Sequence, residues 1–282
     1  MNNIKILVSV HKPDPYIRKD DIYTPIHAGK FFSNIDIGYK GDNTGDNISN
    51  KNKSYCELTV LYWAWKNLTN IDYIGLAHYR RYLKLSPNSI LKILKNNDII
   101  LAQPAIHPYS IAKEFESLVS QEDLYILINT ILKKYPDYKD SMIQYLYKSN
   151  HWIPCNMFIC KWELFNQYCS FLFTILSEVE QQVRPYGYTR LNRNLGYMGE
   201  LLLGIFCIHN KLKIHFAQME ISGNKNQDNT FRNKLTALRN DLSFKIANAS
   251  FHKQTKIPIY QSIITGLQQD NININDLLEN NN

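Results

Sequence analysis

A chain of 282 residues, 44% hydrophobic and 20% charged, can bury a full core without disulfide or metal staples. Thirty-two Lys and Arg against 25 Asp and Glu give a formal net charge of +7, which suits an anionic partner: a phosphate ligand, nucleic acid or an anionic membrane surface. The five cysteines, Cys56, Cys155, Cys160, Cys169 and Cys207, form no C-x-x-C pair, which argues against a disulfide framework or a thiolate zinc site and for reduced thiols in a cytoplasm.

The segment Ile4 to Val10 is rich in β-branched residues and reads as a buried strand, ended by His11-Lys12-Pro13. It is too short for the apolar core of a signal peptide. No later apolar run reaches the roughly 18 to 20 residues of a membrane span. The expected location is therefore the cytoplasm, with contact to a membrane face left open. In nucleotide-binding α/β folds, ligands lie beyond the carboxyl ends of strands. His11 and Lys12 thereby become candidates for nucleotide contact.

A loop-rich region follows to about residue 53. Its stretch from Asp42 to Asn50 gathers Asp42, Asn43, Asp46 and Asn47 around glycines. Such loops hold a ribose, a base edge or a metal, and the same residues form ordinary turns. The spacing is not that of an EF-hand. Ser54-Tyr55-Cys56-Glu57 reads as a capping box that opens a helix to about Asn67, with Leu58, Leu61, Tyr62 and Trp65 at helical spacing.

Tyr73 to Ala77 is a second short strand, and His78-Tyr79-Arg80-Arg81-Tyr82 follows without a gap. Three cationic side chains within four residues, at a strand's carboxyl end, form a grip for a diphosphate. The guanidinium fork matches phosphate oxygens. Strand alternation puts His78 and Arg80 on one side and turns Arg81 away. The competing reading is a basic edge facing water.

A helix from Asn88 to Lys95, a strand from Asp98 to Gln103, helical segments over 110–149 broken at Pro136, a strand from Asn156 to Cys160 and a helix from about Trp162 to Val183 come next. A helix from about Gly199 to Asn210 places Glu200 at its start, where the helix dipole keeps a carboxylate ionised, as a general base requires. The strand Lys213 to Ala217 completes an alternation that indicates an α/β fold. Beyond residue 220, Phe231, Leu235, Leu238, Leu242 and Ile246 form an apolar stripe at helical spacing. Two readings stand for it: a helix docking on the core, or one lying on an anionic membrane surface. The expected organisation is a domain over 1–220, a helical extension over 221–270 and a disordered Asn-rich tail over 271–282.

No P-loop, G-x-S-x-G, H-E-x-x-H or G-x-G-x-x-G pattern occurs. Apart from residues 78–81 the basic residues are scattered, which disfavours a nucleic-acid partner.

Several segments in order carry a resemblance. They are Thr44-Gly45-Asp46-Asn47-Ile48-Ser49, Tyr55-Cys56-Glu57-Leu58-Thr59, Leu61-Tyr62-Trp63-Ala64-Trp65-Lys66-Asn67, Asp72-Tyr73-Ile74-Gly75 with His78 to Tyr82, Asn156-Met157-Phe158-Ile159 through Phe165, and Gly196-Tyr197-Met198-Gly199-Glu200. From about residue 3 to 220 the chain resembles the bacterial capsular and exopolysaccharide galactofuranosyltransferase family, long catalogued as a domain of unknown function. The resemblance implies a GT-A-like fold, with a nucleotide-sugar-binding sheet flanked by helices. It also implies inverting transfer of galactofuranose from UDP-galactofuranose to a polyprenyl-diphosphate-linked glycan at the cytoplasmic membrane face, in capsule, exopolysaccharide or O-antigen synthesis.

On this reading Glu200 is the base, with Asp46 as the alternative carboxylate. His78, Arg80 and Arg81 take the diphosphate, and His11, Lys12, Asp46 and Asn47 the nucleotide. Asn156 and Arg190 line the acceptor side. Many GT-A enzymes end the equivalent of Tyr73–Ala77 in a D-x-D metal motif, where this chain has His78-Tyr79-Arg80. No metal is expected to be required, although Asp42 or Asp46 leaves manganese or magnesium open. A retaining pyranosyl transferase of similar fold and a non-catalytic UDP-binding assembly protein remain the alternatives.

Overall fold

The structure is a computed structural model that describes residues 3–189, 191–223, 230–247 and 256–281. In chain order its elements are β1 (Ile4–Val10), β2 (Tyr23–His27), β3 (Lys40–Gly41), α1 (Asn52–Tyr55), α2 (Leu58–Asn67), β4 (Tyr73–His78), β5 (Arg81–Leu83), α3 (Pro87–Leu94), β6 (Ile99–Ala102) and β7 (Ala105–Ile106). Then follow α4 (Ile111–Phe115), α5 (Gln121–Lys134), α6 (Lys139–Lys148), β8 (His151–Trp152), β9 (Phe158–Lys161), α7 (Trp162–Glu180), α8 (Asn194–His209), β10 (Ile214–Ala217), β11 (Met219–Ile221), α9 (Thr230–Ala247), α10 (Gln261–Gln269) and α11 (Asn275–Glu279).

The chain divides into two compact units that interleave along the sequence, rather than a single domain over 1–220. The first comprises residues 1–104, 153–171 and 211–227, and the second 105–152, 172–210 and 228–282.

The first unit holds the main sheet, ordered β10-β6-β9-β4-β1-β2-β3, with β5 beside β4 and β11 beside β5. The β10–β6, β4–β1, β1–β2 and β2–β3 pairs are parallel, while β9 runs antiparallel to both β6 and β4. Leu7, Val8 and Val10 of β1 are all wholly buried. That is why the strand reads as a continuous apolar run rather than an alternating one. Each such side chain contributes about 1.5–3 kcal/mol on leaving water. β2 went unread in the sequence because Pro25 and His27 interrupt its pattern. It pairs with β1 from Tyr23 to His27 all the same.

The expected capping box does not form. The short α1 ends at Cys56, whose φ of 53° breaks the helix, and α2 begins at Leu58. The Ser54 hydroxyl donates to the Lys51 carbonyl instead of capping. Glu57 is left for another use, described below.

The second unit contains the antiparallel β7–β8 pair and helices α4–α6 and α8–α11, with the later part of α7. α6 packs on α8, where a Cβ on Gly204 would lie 2.1 Å from the Tyr145 ring, so only glycine allows this approach. The tail is not disordered. Leu277 of α11 is wholly buried and its N–H donates to the Asn129 side chain at 2.8 Å. The Asn-rich composition suggested disorder, but Asn129, Asn273 and Asn281 satisfy backbone groups here. α9 does not dock on the core through its apolar stripe, the first of the two readings. It is buried through Phe244, whereas Leu235, Leu238, Leu242 and Ile246 are exposed. No helix of the described residues is long and apolar enough to cross a membrane.

Candidate active site

The parallel pairing of β1 with β4, in register from Ile4–Tyr73 to Ser9–His78, brings the carboxyl ends of both strands together. The segment after β1 therefore meets the segment after β4. The Tyr79 N–H donates to the Ser9 carbonyl at 3.2 Å. His11 sets its ring edge-on to Tyr79 at 5.0 Å, and the Lys12 ammonium stands 5.7 Å from the same ring. Both are exposed. Four of the cations expected to serve a nucleotide diphosphate, His11, Lys12, His78 and Arg80, thus belong to one place.

The basic segment is not a continuing strand. His78 and Arg81 pair directly across a tight β4–β5 hairpin, with Tyr79 and Arg80 at its turn. Residues opposite one another across a strand pair share a face. His78 and Arg81 are therefore the partners, not His78 and Arg80. Both converge on Cys155. His78 Nε2 lies 2.7 Å from the Cys155 carbonyl, and Arg81 Nη1 donates to Cys155 Sγ at 3.5 Å. A carbonyl only accepts, so Nε2 carries the proton in this pair.

Arg80 is drawn to Asp14 instead, with Nε at 2.7 Å and Nη2 at 2.6 Å from the Asp14 carboxylate. Burial pushes the Asp14 carboxyl up, but the Tyr16 N–H and the Arg80 guanidinium outweigh it and hold it below its ordinary range. The hydrogen bond to Asp14 in turn raises Arg80 further. The Asp14 side chain is almost wholly buried while Arg80 stays half exposed. Sequence reasoning missed Asp14. The signal was its place just past β1, beside a basic segment that follows a neighbouring parallel strand.

Cys155 and Asn156 both adopt left-handed backbone, with φ of 68° and 50°. Asn156 is thus a turn residue ahead of β9 rather than part of a strand. Expected on the acceptor side, it is wholly buried, and its Nδ2 donates to Glu57 Oε1 at 2.7 Å. The pair ties the turn that receives His78 and Arg81 to the α1–α2 junction.

Asp46 and Asn47 are held in a different cluster. Tyr62 Oη donates to the Asp46 carboxylate at 3.3 Å, and Asn67 Nδ2 to the Asp46 carbonyl at 2.7 Å. The Asn47 side chain closes local turns with Gly45 and Ser49. Asp42 is wholly buried and accepts from the Gly29 and Lys30 N–H groups and the Ser49 and Thr59 hydroxyls, at 2.5 to 3.1 Å. Gly29 has φ 64°, and a Cβ there would strike Asn52 at 2.5 Å. A carboxylate so filled by protein donors does not fit as a metal ligand. Among the described residues, no group of three or more His, Cys, Asp or Glu side chains converges as a metal site.

Glu200 belongs to the second unit. α8 begins at Asn194, so Glu200 lies well past its first turn. The helix dipole, which acts within the first turn, therefore does not account for it. Its Oε2 accepts from Trp152 Nε1 at 2.7 Å, and the Trp152 ring stacks on Phe115 at 6.1 Å. Arg190 lies outside the described residues.

A family model described as a domain of unknown function, DUF4422, matches residues 5–211. No curated protein matches the chain significantly. A solved structure described as the WbbM bifunctional glycosyltransferase in its apo form aligns at 29% sequence identity and a TM-score of 0.71. The alignment covers 79% of this chain and 46% of that one, so the chain spans about half the length of the structure it matches. The fold, a mostly parallel sheet flanked by helices, is GT-A-like.

Proposed function

This chain belongs to the DUF4422 family, and on that premise we propose that it is a glycosyltransferase using a nucleoside-diphosphate sugar. The observation that carries the proposal is the cationic hairpin. His78 and Arg81 share one face at the carboxyl end of β4, beside Lys12 and His11 at the end of β1. Nucleotide-binding α/β folds place their ligands beyond the carboxyl ends of strands, which supports this position for a donor diphosphate. The likeness to a bifunctional glycosyltransferase supports the same reading.

The donor we propose is UDP-galactofuranose, and the acceptor a polyprenyl-diphosphate-linked glycan in capsule, exopolysaccharide or O-antigen synthesis. Transfer inverts the anomeric centre in a single displacement. The acceptor oxygen bonds to the anomeric carbon as the bond from that carbon to the diphosphate breaks. The acceptor proton passes to a carboxylate, and UDP leaves. Negative charge gathers on the diphosphate in the transition state. His78, Arg81 and Lys12 offset it without a metal, as preorganised donors at a leaving group do. Arg80 adds charge while its fork rests on Asp14 and orders the turn. Glu200 is the proposed base, with its carboxylate oriented by the Trp152 indole.

The decisive experiment incubates the protein with UDP-galactofuranose and a panel of lipid-mimic acceptors, with and without EDTA, and reads the product anomer by NMR. Inverted product formed in EDTA is expected. Turnover that vanishes with EDTA and returns with manganese would overturn the metal-free clamp. A pyranose product with retained configuration would point to the retaining transferase, and UDP binding without turnover of any donor to an assembly protein. Glu200→Gln is expected to lower turnover by roughly 10²- to 10⁴-fold while UDP still binds.

A further inference from the structure

α9 carries its large aliphatic side chains on the side opposite to the one that docks. Leu235, Leu238, Leu242 and Ile246 are 51%, 67%, 58% and 70% exposed, whereas Phe244 is 4% exposed. At about 100° per residue the four aliphatic positions fall within a stripe about 80° wide, centred nearly opposite Phe244. The docked side has its own polar ties: Asn240 Nδ2 donates to the Ile106 carbonyl at 2.8 Å, and Asp241 faces His151 at 3.7 Å. The outer stripe is edged by exposed cations, with Lys234 and Lys245 along one margin and Arg239 along the other. Asp241 is the only acid in the helix, and it pairs with Lys245 on the inner side.

We infer that this face of α9 lies on an anionic phospholipid surface, with the helix axis in the membrane plane. An apolar stripe with cations on both flanks fits the boundary between acyl chains and headgroups. The leucines enter the apolar layer, and the Lys and Arg stems reach back to lipid phosphates. Four exposed aliphatic side chains in one row are more than scattered surface residues require. A second copy of the chain is the poorer occupant. Two-fold pairing along this stripe would bring cationic margins together, and the one acid of the helix, Asp241, is already engaged by Lys245 and His151. The inference does not depend on which sugar the enzyme transfers.

The test is sedimentation of the full chain with vesicles of phosphatidylcholine alone or mixed with phosphatidylglycerol. The wild type is expected to bind the anionic vesicles, less so as salt rises. Leu238→Gln/Leu242→Gln and Lys234→Glu/Arg239→Glu/Lys245→Glu are each expected to weaken that binding about tenfold or more. Wild-type protein that ignores anionic vesicles would overturn the inference, as would variants that bind them unchanged. A wild-type dimer that the leucine variant converts to monomer, with no vesicle binding, would assign the face to a second copy. Should either multiple variant unfold by circular dichroism, Leu242→Trp decides. A blue shift of its added emission with anionic vesicles supports the inference, and its absence overturns it.

Discussion

Two polar loops follow parallel strands of the same sheet, and they spend their hydrogen bonds in opposite ways. Beyond β2 and β3, Asp42 lies wholly buried under two backbone N–H groups and two hydroxyls, all from the protein. Beyond β4, Arg80 and Arg81 stay exposed, and one carboxylate, Asp14, engages the first of them. By composition both loops were candidate sites. A polar cluster that satisfies itself holds a fold together. One that leaves charge at the surface, on a braced backbone, is placed to receive a charged ligand. The same contrast separates the two faces of α9, where the inner one is hydrogen-bonded and the outer one is apolar and bare.

The largest expected effect within this contrast is on Asp42. Asp42→Ala would strand four donors, three of them in buried hydrogen bonds, and should cost about 3 kcal/mol or more of stability. Asp46→Ala, at an exposed position, should cost about 0.5 kcal/mol or less. Urea unfolding of both variants checks the pair, and a native midpoint for Asp42→Ala would break the comparison.

Next in size is the basic hairpin. Arg81→Ala removes a charge-assisted contact to the proposed diphosphate and should weaken UDP binding about 10- to 100-fold. Because the side chain is exposed, its melting temperature should stay near wild type. Calorimetric titration with UDP measures the first and thermal unfolding the second. A variant that melts early but binds UDP normally would reverse the roles assigned to the two loops.

A smaller effect comes from His27, at the carboxyl end of β2. It is 1% exposed, and both ring nitrogens are buried without a hydrogen-bond partner. Burial pushes its pKa down, and Lys30 adds to this, against smaller opposing contributions from Asp42 and Asp36. A depressed folded value means the unfolded chain binds the proton first. The contribution of His27 is therefore complete above the unfolded value of about 6.5 and is lost as pH falls from there through the folded value. Wild-type stability should decline below about pH 6.5, by at most about 1.4 kcal/mol per pH unit from this group. His27→Leu should flatten that slope, read by unfolding at pH 7 and pH 5.5. An unchanged slope would remove His27 as its source.

The central strands and the basic segment were legible in the chain because burial on both faces demands unbroken apolar runs, which local sequence records. β1 was read to the residue, and β4 to within one. The clusters were less so. That Arg80 turns to Asp14, 66 residues away, follows from strand register, which no local pattern encodes. The capping box failed for a similar reason. Glu57 is worth more to the buried amide of Asn156, 99 residues on, than to the end of its own helix.

The sequence by itself determined the α/β alternation, the family and the concentration of cations after β4, since these rest on local periodicity, residue type and the order of motifs. Only the tertiary structure decided which of those cations share a face, which acid is spent inside the fold and which side of α9 meets the solvent. Those outcomes depend on pairing between distant segments, where a one-residue change of register would move every side chain to the opposite face.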